Sequence, residues 1–229
     1  MDPETRGAHI VWDWNGTLLH DIEAVLAATN AALAALGLPP LTLARYQELY
    51  CVPVTRFYER LMGRLPTAEE WAGMDEVFHR HYFDRVERVG LAEGAAELLA
   101  ARRAAGLTQS LCSLARHEHL VPLVRRHGIE EHFVRVDGST DGNVRGKARQ
   151  MAAHVAALGG FDPRRTVVVG DALDDAVAAA HVGVRAVLYT GGAHSRAGLA
   201  SAGVPVVDTL TEAVEVAEEL VAEGPASLL

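Results

Sequence analysis

Two aspartates and a serine stand where short apolar stretches of the sequence end. Asp13, Ser113 and Asp171 each stand where a predicted β-strand ends and the following loop begins. A carboxylate at the end of a buried strand costs desolvation free energy unless a cation or hydrogen bonds meet its charge. If the three strands are neighbours in one sheet, the two acids repel each other strongly unless a cation lies between them. Oxygen ligands of this kind suit Mg²⁺, so the pattern predicts a magnesium site.

Three further residues extend this candidate site. Lys147 is the only lysine in the chain, and beside two acids its ammonium would offset negative charge and bind a phosphate. Gly16, in the turn after Asp13, permits a sharp bend and lets backbone N–H groups approach an anion. Asp175 follows Asp171 at the predicted start of a helix, where the helix dipole by itself also favours an acid.

The elements that would position these residues alternate between strand and helix from residue 95 onwards. Strands are predicted at 107–112, 133–136, 166–169, 186–189 and 204–207, and helices at 95–105, 117–127, 147–158, 174–181 and 211–222. Unbroken apolar strands that alternate with helices predict an α/β fold, a doubly wound parallel sheet covered on both faces. Ligands of such sheets bind beyond the carboxyl ends of the strands, where the candidate residues stand.

From residue 20 to residue 90 the pattern is helical throughout, with a break at Pro53. Asp21 is the predicted N-cap of the first of these helices. About seventy residues of helix between two strands exceed what a crossover connection needs. The sequence therefore predicts a core domain formed by 1–19 and 91–229, with a helical subdomain inserted at 20–90.

Composition argues against several other classes of protein. The 229 residues carry a net charge of −9 at pH 7 and no basic patch, which argues against a nucleic-acid surface. The apolar runs are too short to span a membrane, and the acidic start of the chain is unlike a signal peptide. Two cysteines are too few for a disulfide framework. We expect a cytoplasmic enzyme with no nucleic-acid or membrane partner; the sequence gives no indication of its oligomeric state.

Together the motifs resemble those of the haloacid dehalogenase (HAD) superfamily, most of whose members are Mg²⁺-dependent phosphatases. Residues 13–18, DWNGTL, are similar to the nucleophile loop DxDGTL, and residues 170–175, GDALDD, are similar to the acid motif GDxxxD. Ser113 and Lys147 stand where the family has its Ser/Thr and Lys motifs. The phosphoglycolate-phosphatase-like branch of the family has a Rossmann-like core and a helical cap inserted after the first motif, which 20–90 would form here.

The resemblance implies a role for each candidate residue. Asp13 would attack phosphorus and form an aspartyl-phosphate intermediate. Mg²⁺ would be held by Asp13, the backbone carbonyl of Asn15, Asp171 and Asp175. The phosphate would be bound by the side chains of Ser113 and Lys147 and by backbone N–H groups around Asn15, Gly16, Ser113 and Leu114. The catalytic residues would accordingly be Asp13, Asn15, Ser113 and Lys147.

Asn15 departs from the family pattern, which places a second aspartate two residues after the nucleophile. That aspartate protonates the leaving group, and an amide cannot shuttle a proton at neutral pH. Loss of general acid–base catalysis typically costs about 10²–10⁴ in rate. The enzyme could then be slow, act on substrates with good leaving groups, or recruit another group such as His20. On this reasoning Asn15→Asp should keep or raise the activity.

The alternative function is that of a HAD-fold protein that binds a phosphorylated ligand or a partner with little or no turnover, and Asn15 alone supports it. Other branches of the family fit less well. A phosphonoacetaldehyde-type hydrolase needs a lysine in the cap, and 20–90 contain none. A dehalogenase needs no Mg²⁺, which the retained Asp171 and Asp175 disfavour, and a sugar-phosphate mutase needs the missing second acid.

The expected ligand is a small phosphorylated metabolite, and the motifs leave its identity open. The predicted cap would supply the specificity groups. Tyr50 and Arg56 flank the break at Pro53, and an arginine there could bind a substrate carboxylate or a second phosphate. A solvated helix arginine is an equally good interpretation of Arg56.

Overall fold

The computed structural model describes residues 7–140 and 146–224, so the acidic segment 1–6 and the end of the chain lie outside it. Six strands form one parallel sheet in the order β3-β2-β1-β4-β5-β6. The strands are β1 (His9–Trp12), β2 (Gln109–Arg116), β3 (Val136–Ser139), β4 (Thr166–Gly170), β5 (Arg185–Tyr189) and β6 (Val206–Val207). The predicted α/β fold, a doubly wound parallel sheet, is confirmed.

The central strands are apolar on both faces because helices cover the sheet from both sides. Ile10 and Trp12 of β1 pack into one apolar cluster, whereas Val11 packs into a second cluster on the opposite face. The valines of β4 alternate between the two clusters in the same way. This two-sided burial explains why the central strands have unbroken apolar sequences.

In the described residues after 94, six α-helices alternate with strands β2–β6. They are α5 (Ala95–Ala104), α6 (His117–Arg126), α7 (Ala148–Ala157), α8 (Leu173–His181), α9 (Arg196–Leu199) and α10 (Leu210–Ala222). Helices α5, α6 and α10 contribute to the cluster that contains Trp12, and α7 and α8 contribute to the cluster that contains Val11.

Four helices lie between β1 and α5: α1 (Ile22–Ala35), α2 (Leu43–Leu49), α3 (Val54–Met62) and α4 (Ala68–Val86). They enclose an apolar cluster of their own, which includes Leu33, Tyr46, Phe57 and Met74. Tyr82, near the end of α4, instead joins the cluster that contains Trp12. Among the described helices, none combines the length and the apolar character that a bilayer crossing requires.

Two predicted strands are displaced along the chain. Strand β2 does not end before Ser113 but continues to Arg116, with an irregular pairing after Cys112. Strand β3 was predicted at 133–136 from its apolar residues and instead occupies 136–139. Because β3 is an edge strand, pairing of its backbone with β2 fixes its limits, and polar residues are tolerated there.

A network of hydrogen-bonded polar side chains links α7 to three strands. His154 of α7 is hydrogen-bonded through Nδ1 to Asp137 Oδ2 of β3 (2.7 Å) and through Nε2 to Ser110 Oγ of β2 (2.8 Å). His9 Nε2 of β1 is hydrogen-bonded to the same Ser110 Oγ at 2.9 Å. Burial lowers the pKa of His9 to about 4, so its ring is neutral at pH 7.

We expect acid to destabilise the protein partly through His9. A histidine in the unfolded chain protonates near pH 6.5, whereas His9 in the folded protein protonates only near pH 4. The stability that depends on neutral His9 is therefore complete above pH 6.5 and is lost as the pH falls towards 4, by roughly 2–3 kcal/mol.

Urea unfolding at pH 7 and pH 4.5 measures this loss. The difference in unfolding free energy between the two pH values should shrink in His9→Gln. It should stay the same in His20→Gln, which changes an exposed histidine. An equal loss in all three proteins would contradict the role of His9.

Candidate active site

Strand β1 brings Asp13 to the carboxyl edge of the sheet, next to the end of β4. The Asp13 N–H donates to Val169 O of β4 at 2.8 Å, so Asp13 extends the pairing of the two strands by one residue. Asp171 follows β4 directly, and β1 pairs with β4 over its whole length. Two carboxylates that are far apart in the sequence therefore meet at one edge of the sheet.

Asp175 completes a buried cluster of three carboxylates. Asp13, Asp171 and Asp175 each offer one oxygen, and these oxygens lie within 4.8 Å of one another. Asp175 belongs to the first turn of α8, and its Oδ2 accepts a hydrogen bond from the Ala172 N–H at 3.1 Å. Asp171 Oδ2 accepts one from the Ala193 N–H at 2.6 Å. Backbone donors at the ends of β4 and β5 thus hold two of the three acids in place.

Lys147 lies among these acids, immediately before α7. Its buried ammonium donates to the carboxylates of Asp13 and Asp175. Its backbone N–H donates to Asp174 Oδ2 at 2.6 Å, which fixes the start of α7 against the start of α8. Burial alone would lower the pKa of Lys147, but the charges of Asp13 and Asp175 outweigh it and raise that pKa above its ordinary value. Lys147 is therefore a permanent positive charge.

The charges of this cluster do not balance without a further cation. Three carboxylates face one ammonium, and burial raises the pKa of Asp13 although Lys147 opposes this. Burial, together with the charges of Asp13 and Asp175, also raises the pKa of Asp171. Carboxylate oxygens are the protein ligands that Mg²⁺ prefers. The three acids consequently fit a divalent cation both in their chemistry and in their spacing.

Gly16 is required by its backbone conformation and by the space around it. Its φ of +73° lies in the left-handed region, and a Cβ at this position would lie 2.5 Å from Asp171 Oδ2. Its N–H donates to Leu19 O at 3.0 Å and to Asp21 Oδ1 at 2.8 Å. Because this N–H is already bonded within the protein, the arrangement does not support the predicted contact between the Gly16 N–H and a phosphate.

A cavity of about 160 Å³ opens beside the acidic cluster. Nine of the residues predicted from the sequence line it: Asp13, Asn15, Gly16, Tyr50, Ser113, Leu114, Lys147, Asp171 and Asp175. Ser113 is buried, and its Oγ accepts a hydrogen bond from the Ala115 N–H at 3.1 Å, which leaves the hydroxyl free to donate. The cavity thus combines the acids, the lysine and a hydroxyl donor.

Two residues considered from the sequence lie elsewhere. Arg56 is not part of the cavity; its guanidinium is 60% exposed and pairs with Glu59 at 2.5 Å, one turn along α3. Tyr50, before the break at Pro53, lines the cavity, whereas the orientation of α3 places Arg56 in solvent. His20 is exposed and does not line the cavity, so the geometry does not support it as a substitute acid.

Asp21 is a site residue that the sequence reasoning missed. It was predicted as the N-cap of α1, but its side chain makes no capping hydrogen bond. Its buried carboxylate lines the cavity and accepts hydrogen bonds from Asn15 Nδ2 (2.7 Å), the Tyr82 hydroxyl (2.7 Å) and the Gly16 N–H (2.8 Å). Tyr82 belongs to α4, so no pattern near Asp21 in the sequence could reveal this partner.

The side-chain NH2 group of Asn15 is engaged by this network. Its Nδ2 donates to Asp21 Oδ2 and to the Tyr82 hydroxyl oxygen, both at 2.7 Å. Burial raises the pKa of Asp21, and the donors Asn15 and Tyr82 oppose that shift. The amide therefore satisfies a buried carboxylate, and a carboxylate at position 15 would meet Asp21 instead.

The geometry of this site agrees with the comparison to known families. A family model described as "haloacid dehalogenase-like hydrolase" matches residues 8–183. The chain belongs to the family of haloacid dehalogenase-like hydrolases.

Individual relatives and structures are similar over most of the chain. It is 28% identical over 189 residues to a protein from Agrobacterium fabrum named "Phosphoglycolate phosphatase", covering 80% of each chain. It is 25% identical over 188 residues to a "5'-nucleotidase" from Pseudomonas aeruginosa, covering 80% of this chain and 82% of that one. The crystal structure of a "predicted phosphatase" from Clostridium acetobutylicum superposes with a TM-score of 0.80 at 15% identity, covering 94% of this chain and 100% of that one.

We expect Lys147→Met to destabilise the protein strongly. The substitution leaves Asp13 and Asp175 buried without their cation, and breaking a buried ion pair typically costs about 3–5 kcal/mol. Urea unfolding without added metal measures the loss. Arg149→Met on the exposed face of α7 is the matched control and should change the unfolding free energy by no more than about 0.5 kcal/mol. Equal stability of the two variants would contradict the arrangement.

The structure indicates a stability cost for Asn15→Asp, whatever its effect on activity. An aspartate at position 15 places a second carboxylate against buried Asp21, so we expect a loss of about 1–3 kcal/mol in unfolding free energy at pH 8. The exchanged pair Asn15→Asp with Asp21→Asn restores one amide and one carboxylate and should recover most of the loss. Additive losses in the double variant would show that the two side chains do not interact.

Proposed function

We propose that this HAD-type phosphatase hydrolyses small phosphate monoesters, with the Asp13 carboxylate as nucleophile. The observation that carries the proposal is the buried arrangement of Asp13, Lys147, Asp171 and Asp175 at one wall of the cavity. Relatives named as phosphoglycolate phosphatases and as a 5'-nucleotidase support a phosphorylated small-molecule substrate. A structural role alone would not explain a cluster of acids that carries more negative charge than its one lysine offsets.

In the first step, an Asp13 oxygen attacks phosphorus, the bond between phosphorus and the ester oxygen breaks, and the leaving group takes the bonding electrons. This produces an aspartyl-phosphate, which water then cleaves to phosphate and free Asp13. Lys147 lies against Asp13 and reduces the repulsion between the carboxylate and the phosphate dianion. The Ser113 hydroxyl and the Leu114 backbone N–H would bind phosphoryl oxygens, and the position of both residues in the cavity lining supports this role.

Asp13, Asp171 and Asp175 are the residues that would hold Mg²⁺, and the backbone carbonyl of Asn15 remains a predicted fourth ligand. When bound, such an ion lowers the repulsion among these acids and offsets the negative charge of the phosphoryl group. The unbalanced charge of the three buried acids supports this assignment.

The helices α1–α4 are proposed to act as a cap over this site. Ile22 and Val25 of α1, Tyr46 of α2 and Tyr50 and Val52 after α2 line the cavity opposite the acids. Gln47 Nε2 donates to Gly192 O at 2.9 Å, which joins α2 to the loop after β5. The proposed division into 1–19 with 91–229 and 20–90 is supported by the separate apolar cluster of α1–α4. In this proposal α1–α4 supply the part of the cavity that would surround the leaving group.

The phosphatase and the alternative, a protein that binds a phosphorylated ligand without turnover, differ in the release of phosphate. We expect release from p-nitrophenyl phosphate that depends on Mg²⁺ and stops when the metal is chelated. Asp13→Asn should reduce kcat by about 10³-fold or more, because no other group can form the covalent intermediate.

Arg56→Ala, in an exposed residue outside the cavity, is the matched control and should retain wild-type kcat. Equal background release by the wild type and Asp13→Asn would contradict the phosphatase proposal. In that case, binding of inorganic phosphate by the wild type, measured by calorimetry, would favour the binding protein.

A further inference from the structure

The wall of the cavity that faces the acidic cluster is apolar and aromatic. It is formed by Ile22, Val25, Tyr46, Tyr50 and Val52, with Leu114 beside the phosphate-binding side. A leaving group that occupies the cavity would therefore contact hydrocarbon and aromatic rings. Such surfaces stabilise an apolar or aromatic ligand by removing both surfaces from water.

The tyrosines of this wall are held in place by further rings. Tyr50 packs on Tyr46 with ring centroids 5.2 Å apart and nearly parallel planes. The ring centroid of Phe57 lies 5.9 Å from that of Tyr50. The ring centroid of His194 lies 5.3 Å from that of Tyr50, in an edge-to-face orientation. A wall that is packed from several sides keeps its shape, so it can select ligands by shape.

The cavity is also unsuited to a leaving group with its own negative charge. Five carboxylates line its described part: Asp13, Asp21, Asp171, Asp174 and Asp175. The one cation among the described lining residues is Lys147, which already binds two of these acids.

The nearby arginines of α2 and α3 make their hydrogen bonds elsewhere. Arg45 pairs with Glu48, and Arg60 donates to Leu49 O at 3.0 Å. Arg56 pairs with Glu59, as described above. A carboxylate or second phosphate on the leaving group would therefore be repelled by the acids, and among the described residues that line the cavity it would find no cation other than Lys147.

Asn15 also limits which leaving groups the site can release. Its amide holds Asp21 and Tyr82, and an amide cannot protonate a leaving oxygen. A leaving group that is stable as an anion would not need such a proton. A phenol meets this condition, because its pKa is about 10 whereas that of water, which aliphatic alcohols resemble, is about 16.

We propose that the preferred substrates are phosphate monoesters of uncharged phenols. This inference rests on the proposed phosphatase function and specifies its substrate class. An Asp13 oxygen bonds to phosphorus as the bond to the aryl oxygen breaks, and the phenolate leaves with the electron pair and takes a proton from water. A water molecule then cleaves the aspartyl-phosphate, which yields inorganic phosphate and restores Asp13.

A panel of phosphate esters separates the effects of the aromatic ring, the charge of the leaving group and the acidity of the leaving group. Phenyl phosphate and 4-carboxyphenyl phosphate differ in the charge of the ring substituent, and phenyl phosphate and benzyl phosphate differ mainly in the acidity of the leaving group. Phosphoglycolate represents a small, charged aliphatic ester. We expect kcat/KM for phenyl phosphate to exceed each of the other three at least tenfold, with Mg²⁺ present and phosphate release as the readout.

Variants of Tyr50 test the aromatic wall. Tyr50→Leu should lower kcat/KM for phenyl phosphate at least fivefold more than it lowers kcat/KM for acetyl phosphate, which has no ring. Tyr50→Phe should retain the activity on phenyl phosphate, since it keeps the ring. Tyr58→Phe, in a cap tyrosine that does not line the cavity, is the control and should leave both substrates unchanged.

The inference is overturned if phosphoglycolate or 4-carboxyphenyl phosphate is hydrolysed as efficiently as phenyl phosphate, or if benzyl phosphate matches it. It is also overturned if Tyr50→Leu affects both phenyl phosphate and acetyl phosphate equally. Failure of the underlying phosphatase function would be recognised separately, because no ester of the panel and no acetyl phosphate would then release phosphate.

Discussion

The constraint on which this structure depends is the excess of buried negative charge at the carboxyl ends of β1 and β4. Three carboxylates with oxygens within 4.8 Å of one another cannot remain ionised in a buried site without positive charge beside them. Lys147 supplies part of that charge, and a divalent cation would supply the rest. The same buried charge opposes folding and holds Asp13, the proposed nucleophile, beside Lys147.

The contact of Lys147 with Asp13 and Asp175 requires that α7, α8 and the sheet hold fixed positions relative to one another. The hydrogen bonds that connect His9, Ser110 and His154 link α7 to the sheet, and Lys147 immediately precedes α7. The bond between the Lys147 N–H and Asp174 then joins α7 to α8. The polar side chains on α7 and the strands thus contribute to the active site indirectly, because they set the position of its one described cation.

The network of Asn15, Asp21 and Tyr82 connects the nucleophile loop to α4. It explains why an amide can occupy a position where the family usually has an acid: here the side chain at position 15 must donate to a buried carboxylate. The cost is the loss of a proton donor for the leaving group. The aromatic, uncharged wall to which α1 and α2 contribute fits the ring of a phenol. A phenol can depart as an anion, so the proposed substrates agree with the loss of the proton donor.

The sequence by itself determined what depends on neighbours in the chain. Apolar runs that end at Asp13 and Asp171, and the single lysine, were sufficient to predict the parallel sheet and a candidate acidic site. Only the tertiary structure decided which side chains from distant segments meet. Asp21 is a cavity residue because the packing of α4 brings Tyr82 to it, and Arg56 lies in solvent because of the orientation of α3. Long-range packing, which no local pattern encodes, sets both outcomes.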